Sequence, residues 1–189
     1  MLLFLYEKRA KQIHRLLHSA TKKVVNYCES HDISKVIVGD ITQIREKANH
    51  GKVNNQKLHK YPFTKIYSLL DYKLKLKGIE FVKQNEAYSS QCSPLSTEVS
   101  NEYAQKKNRK KRGLYQEGQI IFNADSVGAF NIMRLYFQKN NRTFDGAATY
   151  LSNPTKLSFV QTSKSLCKVK KRSSSSKGQV LMVVHSKIA

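Results

Sequence analysis

The segment Gln119–Arg134 constrains the fold of this chain more than any other. Ile120 to Phe122 form a short apolar run that reads as a strand. Asn123 follows, a residue suited to capping a helix. Ala129, Ile132 and Met133 then recur on one helical face. The segment is therefore a strand that hands over to a helix, and Asp125 falls in the first helical turn. A carboxylate there has two readings. It is a structural cap that suits the positive end of the helix dipole, or it is a metal ligand held on rigid backbone at a sheet edge.

At 189 residues the chain is long enough for one domain and a tail. Lys and Arg number 34 against 13 Asp and Glu, a formal charge of +21. An excess of that size points to a polyanionic partner, with nucleic acid first among them. An anionic membrane is a weaker match, because no amphipathic segment pairs a basic face with a bulky apolar one. Cys28, Cys92 and Cys167 lie far apart and fit neither a disulfide framework nor a four-ligand zinc site. A reducing, cytoplasmic setting is expected. Met1 to Tyr6 is apolar, but Glu7, Lys8 and Arg9 follow at once, too soon for a signal peptide or a membrane span.

Ile13, Leu16, Leu17, Ala20, Val24 and Cys28 keep the helical period and predict a helix over residues 8–29. Lys35 to Val38 reads as a buried strand ending at Gly39 and Asp40. Residues 41–60 are polar and read as a loop. Pro62 suits a helix start, Phe63, Ile66, Tyr67, Leu70 and Leu74 supply an apolar helix face, and Gly78 suits its stop. Ile79, Phe81 and Val82 predict a strand that leads to Glu86. Residues 87–118 read as an insertion rich in Ser, Asn and basic residues. From Lys139 the pattern dissolves, so a folded part at 8–138 and a disordered, low-complexity basic tail at 139–189 are expected. Val180 to Val184 is an apolar run within that tail, read as an edge strand or a read-through remnant. The order of elements is α/β, with too few strands to cover both faces of a parallel sheet.

Two groups of residues can carry chemistry. Asp40, Glu86 and Asp125 each lie at a strand end or helix start. In an open α/β sheet the strand ends converge on one crevice, where gathered carboxylates suit Mg²⁺, a hard ion that prefers oxygen. Three unrelated roles (a strand end, a solvated Glu and a helix cap) explain the same residues. The second group is Lys106, Lys107, Arg109, Lys110, Lys111 and Arg112, six basic residues in seven, followed by Tyr115. Such a run neutralises phosphates, and a tyrosine beside it can stack on a base. A solvated loop is the plainer reading. His14 and His18 share a helix face but have no third ligand near them in sequence.

Four blocks, in order, resemble the C-terminal half of the TnpB (OrfB) family, the RuvC-like nucleases of insertion sequences related to compact type V CRISPR effectors. The first block is His14–His18 with Lys35–Ile41. The second is Asn55–His59 with Pro62, Phe63, Tyr72 and Lys73. The third runs from Gly78 and Ile79 to Glu86–Ser93, and the fourth joins Lys111–Tyr115 to Asn123–Ile132.

The resemblance implies a partial RNase H-like (RuvC) fold without its N-terminal strands, with a basic insertion and a disordered tail. It implies a DNA endonuclease lineage that uses guide RNA, Mg²⁺ and three acids. Asp125 matches the third acid. Gly39 stands where most members carry the second, so Glu86 is the expected substitute and Asp40 the reserve. The first acid, in an Asp-x-Gly motif, has no counterpart before Lys8. Only Cys92 remains of the family's zinc ribbon, so no zinc is expected, as in the ribbon-less branch. The implied protein is a truncated, catalytically incomplete fragment whose partners are DNA, guide RNA and a missing N-terminal half. The alternative is a basic nucleic-acid-binding protein without enzymatic function.

Overall fold

The computed structural model describes residues 2–41, 62–111, 113–142, 144, 151–152 and 179–183. The expected loop at 41–60 lies almost wholly outside these residues, as do Cys167 and Arg112. The fold is mixed α/β with small sheets. Helix α1 spans Leu2–Ser30, strand β1 Ile33–Gly39, helix α2 Phe63–Lys75 and strand β2 Glu80–Gln84. A short 3-10 helix at Lys106–Asn108 precedes strands β3, Leu114–Glu117, and β4, Ile120–Asn123. Helix α3, Ala124–Lys139, and strand β5, Gln179–Val183, complete the order. One sheet has the order β2-β1-β5, and β3 pairs antiparallel with β4 in a second.

The described residues fall into two compact units. The first takes in α1, α2 and the strand residues next to them. Helix α1 begins at Leu2, six residues before the expected start, since its first turns need no core contact to hold helical hydrogen bonds. Leu3, Phe4, Leu5 and Tyr6 there are exposed. Further along, Leu17, Val24, Val25 and Cys28 are buried, as are Tyr67, Leu69, Leu70 and Leu74 of α2. Burying one such aliphatic side chain contributes roughly 1.5–3 kcal/mol. Burial also pushes the Cys28 thiol up to about 11. Lys73 ties α2 to α1, its Nζ donating to the His18 carbonyl at 2.9 Å and to Thr21 Oγ1 at 2.7 Å.

Pro62 sits at the N-cap of α2, one place earlier than the first turn expected for it. The other end closes as a Schellman motif. The Gly78 amide donates to the Lys75 carbonyl and the Ile79 amide to the Leu74 carbonyl, both at 3.0 Å. Gly78 holds a φ of +69, which glycine adopts without strain. A Cβ there would meet nothing within 4 Å, so Gly78→Ala is expected to cost only the left-handed penalty, about 1–2 kcal/mol. Urea denaturation of the two chains checks this.

The second unit holds the rest of β1 and β2, the segment 85–111, the β3–β4 hairpin and α3. Val36, Ile37 and Val38 are fully buried. The insertion of 87–118 is not all loop, because it contains β3. Sequence pattern missed that strand, since Leu114–Glu117 shows no apolar alternation. The antiparallel register pairs Tyr115 with Phe122 and Glu117 with Ile120. Gly118, with φ +58, opens the two-residue turn between them. Past Lys139, Phe144 stacks on Phe137 with ring centroids 5.2 Å apart, and Leu151 is buried. β5, at the place expected for an edge strand, forms the edge beside β1.

Candidate nucleic-acid and metal site

Helix α3 organises the candidate site. Its N-cap is Asn123, whose Oδ1 accepts from the backbone amides of Asp125 at 3.0 Å and Ser126 at 3.1 Å. The capping role is thus filled by Asn123, and the Asp125 carboxylate is left for another use. That carboxylate is part-exposed, and Arg109 Nη2 lies 3.7 Å from its Oδ1.

Glu86 belongs to the same compact unit. It lies two residues past the end of β2, and its carbonyl accepts from the Ser89 amide at 3.1 Å in a tight turn. A Cβ built on Gly39 would lie 2.6 Å from Glu86 Oε2 and 3.1 Å from Ile132 Cδ1 of α3. The Glu86 carboxylate therefore fills the space that a side chain at position 39 would enter. Asp40 is placed differently. Its amide donates to the Gln84 carbonyl at 2.7 Å. Asp125 and Ile132 are seven residues apart, two turns on one helix face and about 10 Å along its axis. Among the described residues no three His, Cys, Asp or Glu are arranged to hold a metal ion. Asp40, Glu86 and Asp125 therefore do not form a ready-made three-carboxylate site.

The basic run is on the surface. Lys106, Lys107, Lys110 and Lys111 are exposed. Tyr115 is corrected. Its ring is fully buried, and its hydroxyl donates to the Gln91 carbonyl at 3.3 Å while Asn108 Nδ2 approaches it at 3.4 Å. Burial pushes its phenol up. A buried ring cannot stack on a base, so Tyr115 anchors the basic run to the hairpin instead. The period-2 spacing from Tyr115 could have signalled this only with the strand already known.

Sequence reasoning also missed Asn131 and Arg134. Asn131 is fully buried, and its Nδ2 donates to the carbonyls of Ser89 at 2.8 Å and Cys92 at 2.9 Å. Arg134 Nη1 donates to the Ser93 carbonyl and to Asn131 Oδ1, each at 3.1 Å, and its Nη2 donates to the Ser96 carbonyl. Burial lowers its guanidinium from the usual range. These two side chains pin the segment that follows Glu86 onto the helix that carries Asp125. Cys92 is buried, and its thiol donates to the Ser100 carbonyl at 3.1 Å. His14 and His18 are in ring contact, with centroids 4.3 Å apart. Among the described residues no helix is long and apolar enough to cross a membrane.

The α2-to-α3 part of this arrangement, residues 63–132, matches the Cas12f1-like TNB domain family. A TnpB-like protein of Methanocaldococcus jannaschii is 23% identical over 128 residues. That alignment covers 67% of this chain and 44% of the relative. The fold is similar to that of the protein in a Cas12f1–sgRNA–target DNA complex, with a TM-score of 0.53 at 21% identity. There the likeness covers 69% of this chain and 36% of the other. The chain thus spans less than half the length of these relatives. The chain is thus similar to a TnpB-like protein and to the protein of a Cas12f1 complex, and residues 63–132 match the Cas12f1-like TNB domain family.

Proposed function

We propose that this chain is a nucleic-acid-binding part of a Mg²⁺-dependent, RNase H-like (RuvC) DNA endonuclease, with Glu86 and Asp125 as metal-ligand carboxylates. One observation carries the reading. The Glu86 carboxylate occupies the space in front of Gly39 that a side chain at that position would take. An acid lost from β1 is thereby replaced in space by one from the end of β2. Asp125 supports it, because Asn123 has relieved it of capping.

Both groups present hard oxygens that suit Mg²⁺. When bound, divalent cations lower the pKa of water and stabilise the leaving oxygen of a phosphodiester. The protein's own residues do the rest. The turn at Glu86–Ser89 and the first turn of α3 fix the two carboxylates on hydrogen-bonded backbone. Lys106, Lys107, Arg109, Lys110, Lys111 and Arg112 hold phosphates of DNA and guide RNA, partners suggested by the sgRNA and target DNA of the Cas12f1 complex. Two carboxylates do not neutralise a two-metal centre, so the chain alone does not cleave DNA and takes further oxygen ligands from outside the described residues.

Mn²⁺ titration followed by electron paramagnetic resonance tests the carboxylates. Glu86→Ala and Asp125→Ala are each expected to weaken binding about tenfold or more, in line with losses at metal sites. Unchanged Mn²⁺ affinity in both variants would sink the assignment. Robust Mg²⁺-dependent cleavage by the purified chain, lost in Asp125→Ala, would refute its incompleteness. For the basic run, changing Lys106, Lys107, Lys110 and Lys111 to Gln is expected to lower the salt slope of oligonucleotide binding by up to about four. An unchanged slope means phosphates are held elsewhere.

A second reading is a nucleic-acid binder without catalysis. Its support is the lack of a three-carboxylate cluster among the described residues. It predicts that the double variant Glu86→Ala, Asp125→Ala binds nucleic acid like the parent and that neither protein binds Mn²⁺ specifically.

A further inference from the structure

We propose that the groove between α1 and α2 is a second nucleic-acid contact, a phosphodiester-binding surface that tightens as pH falls through its paired imidazoles, His14 and His18. It lies in the other compact unit from the run at 106–112 and depends neither on that run nor on a metal. Between Glu7 and Glu29, helix α1 carries Lys8, Arg9, Lys11, Arg15, Lys22 and Lys23 and no acid. Lys11, Arg15, His18 and Lys22 recur at helical spacing on one face. That row is about 16 Å long, which suits a repeating polyanion better than a single phosphate ion. The fold closes the row into a groove of about 340 Å³, lined by Lys11, His14 and Arg15 of α1 with Lys65 of α2, and by Ala10. The three long cationic side chains and His14 are exposed, so the groove is open to a ligand.

The acids of the two helices are engaged elsewhere. Glu29 holds Lys77 Nζ at 2.7 Å, and Asp71 holds Lys75 Nζ at 2.9 Å. Glu7 enters a neighbouring hollow beside Phe4 and Lys8. Among the described residues no carboxylate lies within ion-pair distance of Lys11, Arg15 or Lys65. The His14 and His18 rings lie 4.3 Å apart. Lys65 and Lys73 of α2 face His18, and Lys22 stands beside Lys73. Partial burial, and then the charges of His14, Lys73 and Lys65, lower the His18 imidazole from its usual range. An anion in the groove reverses the charge effect, because it favours the protonated rings. The complex then binds more protons than the empty groove, so affinity rises as pH falls. A phosphodiester also gives Arg15 a charge-assisted acceptor. A lipid surface needs bulky apolar side chains beside the charges, but Leu3 to Tyr6 lie at the start of α1 and the groove offers only Ala10.

The full chain tests this with a labelled single-stranded oligonucleotide, its binding read by fluorescence anisotropy over a range of salt at about pH 8 and about pH 5.5, on either side of the imidazole range. Lys11→Gln, Arg15→Gln and Lys65→Gln together are expected to lower the salt slope by about two, at roughly 0.7 per phosphate of a single strand. The parent is expected to bind about threefold more tightly at the lower pH, the equivalent of about half a pKa unit gained by an imidazole. His14→Gln with His18→Gln is expected to lose that gain, and His14→Gln alone, at an exposed position, to lose about half of it. The variant with Lys106, Lys107, Lys110 and Lys111 changed to Gln is expected to keep the gain, which separates this contact from the basic run. An unchanged salt slope in the triple variant overturns the proposal, as does a pH gain that survives the loss of both histidines. Phosphatidylserine vesicles supply the last arm, and the parent and the triple variant are expected to bind them equally. Vesicle binding lost in the triple variant, with oligonucleotide binding unchanged, would assign the groove to a lipid surface and overturn the proposal.

Discussion

Gly39→Glu combined with Glu86→Ala is expected to bind Mn²⁺ within about threefold of the parent, although Glu86→Ala alone loses about tenfold or more. The double variant returns the carboxylate to β1 and vacates the space that it needs. Gly39→Glu alone is expected to fail. Its Cβ would lie 2.6 Å from Glu86 Oε2 and 3.1 Å from Ile132 Cδ1. Overpacking of this kind costs roughly 1–3 kcal/mol, and two carboxylates in one space repel. The single variant should therefore melt lower than the parent, and the double variant should recover most of the loss. Calorimetry and Mn²⁺ titration on the four proteins of the cycle read both quantities. A double variant that melts well but binds no Mn²⁺ would show that Glu86 fills space and does not hold metal.

The second large effect lies in the interior. Asn131→Ala is expected to lower stability by about 3 kcal/mol, since it leaves two buried carbonyls without donors at roughly 1–3 kcal/mol each. For a chain of this size that corresponds to a Tm lower by about 6–12 °C. Arg134→Met, which frees the Ser93 and Ser96 carbonyls, is expected to lose a comparable amount. The two changes share the bond from Arg134 Nη1 to Asn131 Oδ1, so the double variant should lose less than the sum, with a coupling of about 0.5–3 kcal/mol. Thermal melts of the three variants check this. Additive losses would mean that each side chain holds its segment independently.

Much of the fold was legible in the sequence because the responsible forces are local. Leu17, Val24 and Cys28 of one stripe, the β-branched run at Val36–Val38, and Tyr67, Leu70 and Leu74 of another face each report burial through a simple period, although Leu16 of the first stripe is exposed. Gly78 marks a helix end because only its backbone takes a positive φ without cost. Asn123 marks a helix start because its side chain reaches amides two and three residues on. Strand β3 was not legible, since its four residues show no alternation and it exists only through pairing with β4. The buried role of Tyr115 follows from that pairing.

The sequence by itself determined most of the elements, the positive charge and the candidates Glu86, Asp125 and the basic run at 106–112. It also showed that Gly39 stands where the family resemblance expects an acid. It left Asp125 open between cap and ligand, and Glu86 open against Asp40. Tertiary structure added how the residues around them pack. Asn123 takes the cap, and Glu86 rather than Asp40 enters the space in front of Gly39. Positions 39 and 86 are far apart in sequence, and no local period or propensity relates them. Only the packing of β1, the end of β2 and α3 brings Gly39 and the Glu86 carboxylate to the same place.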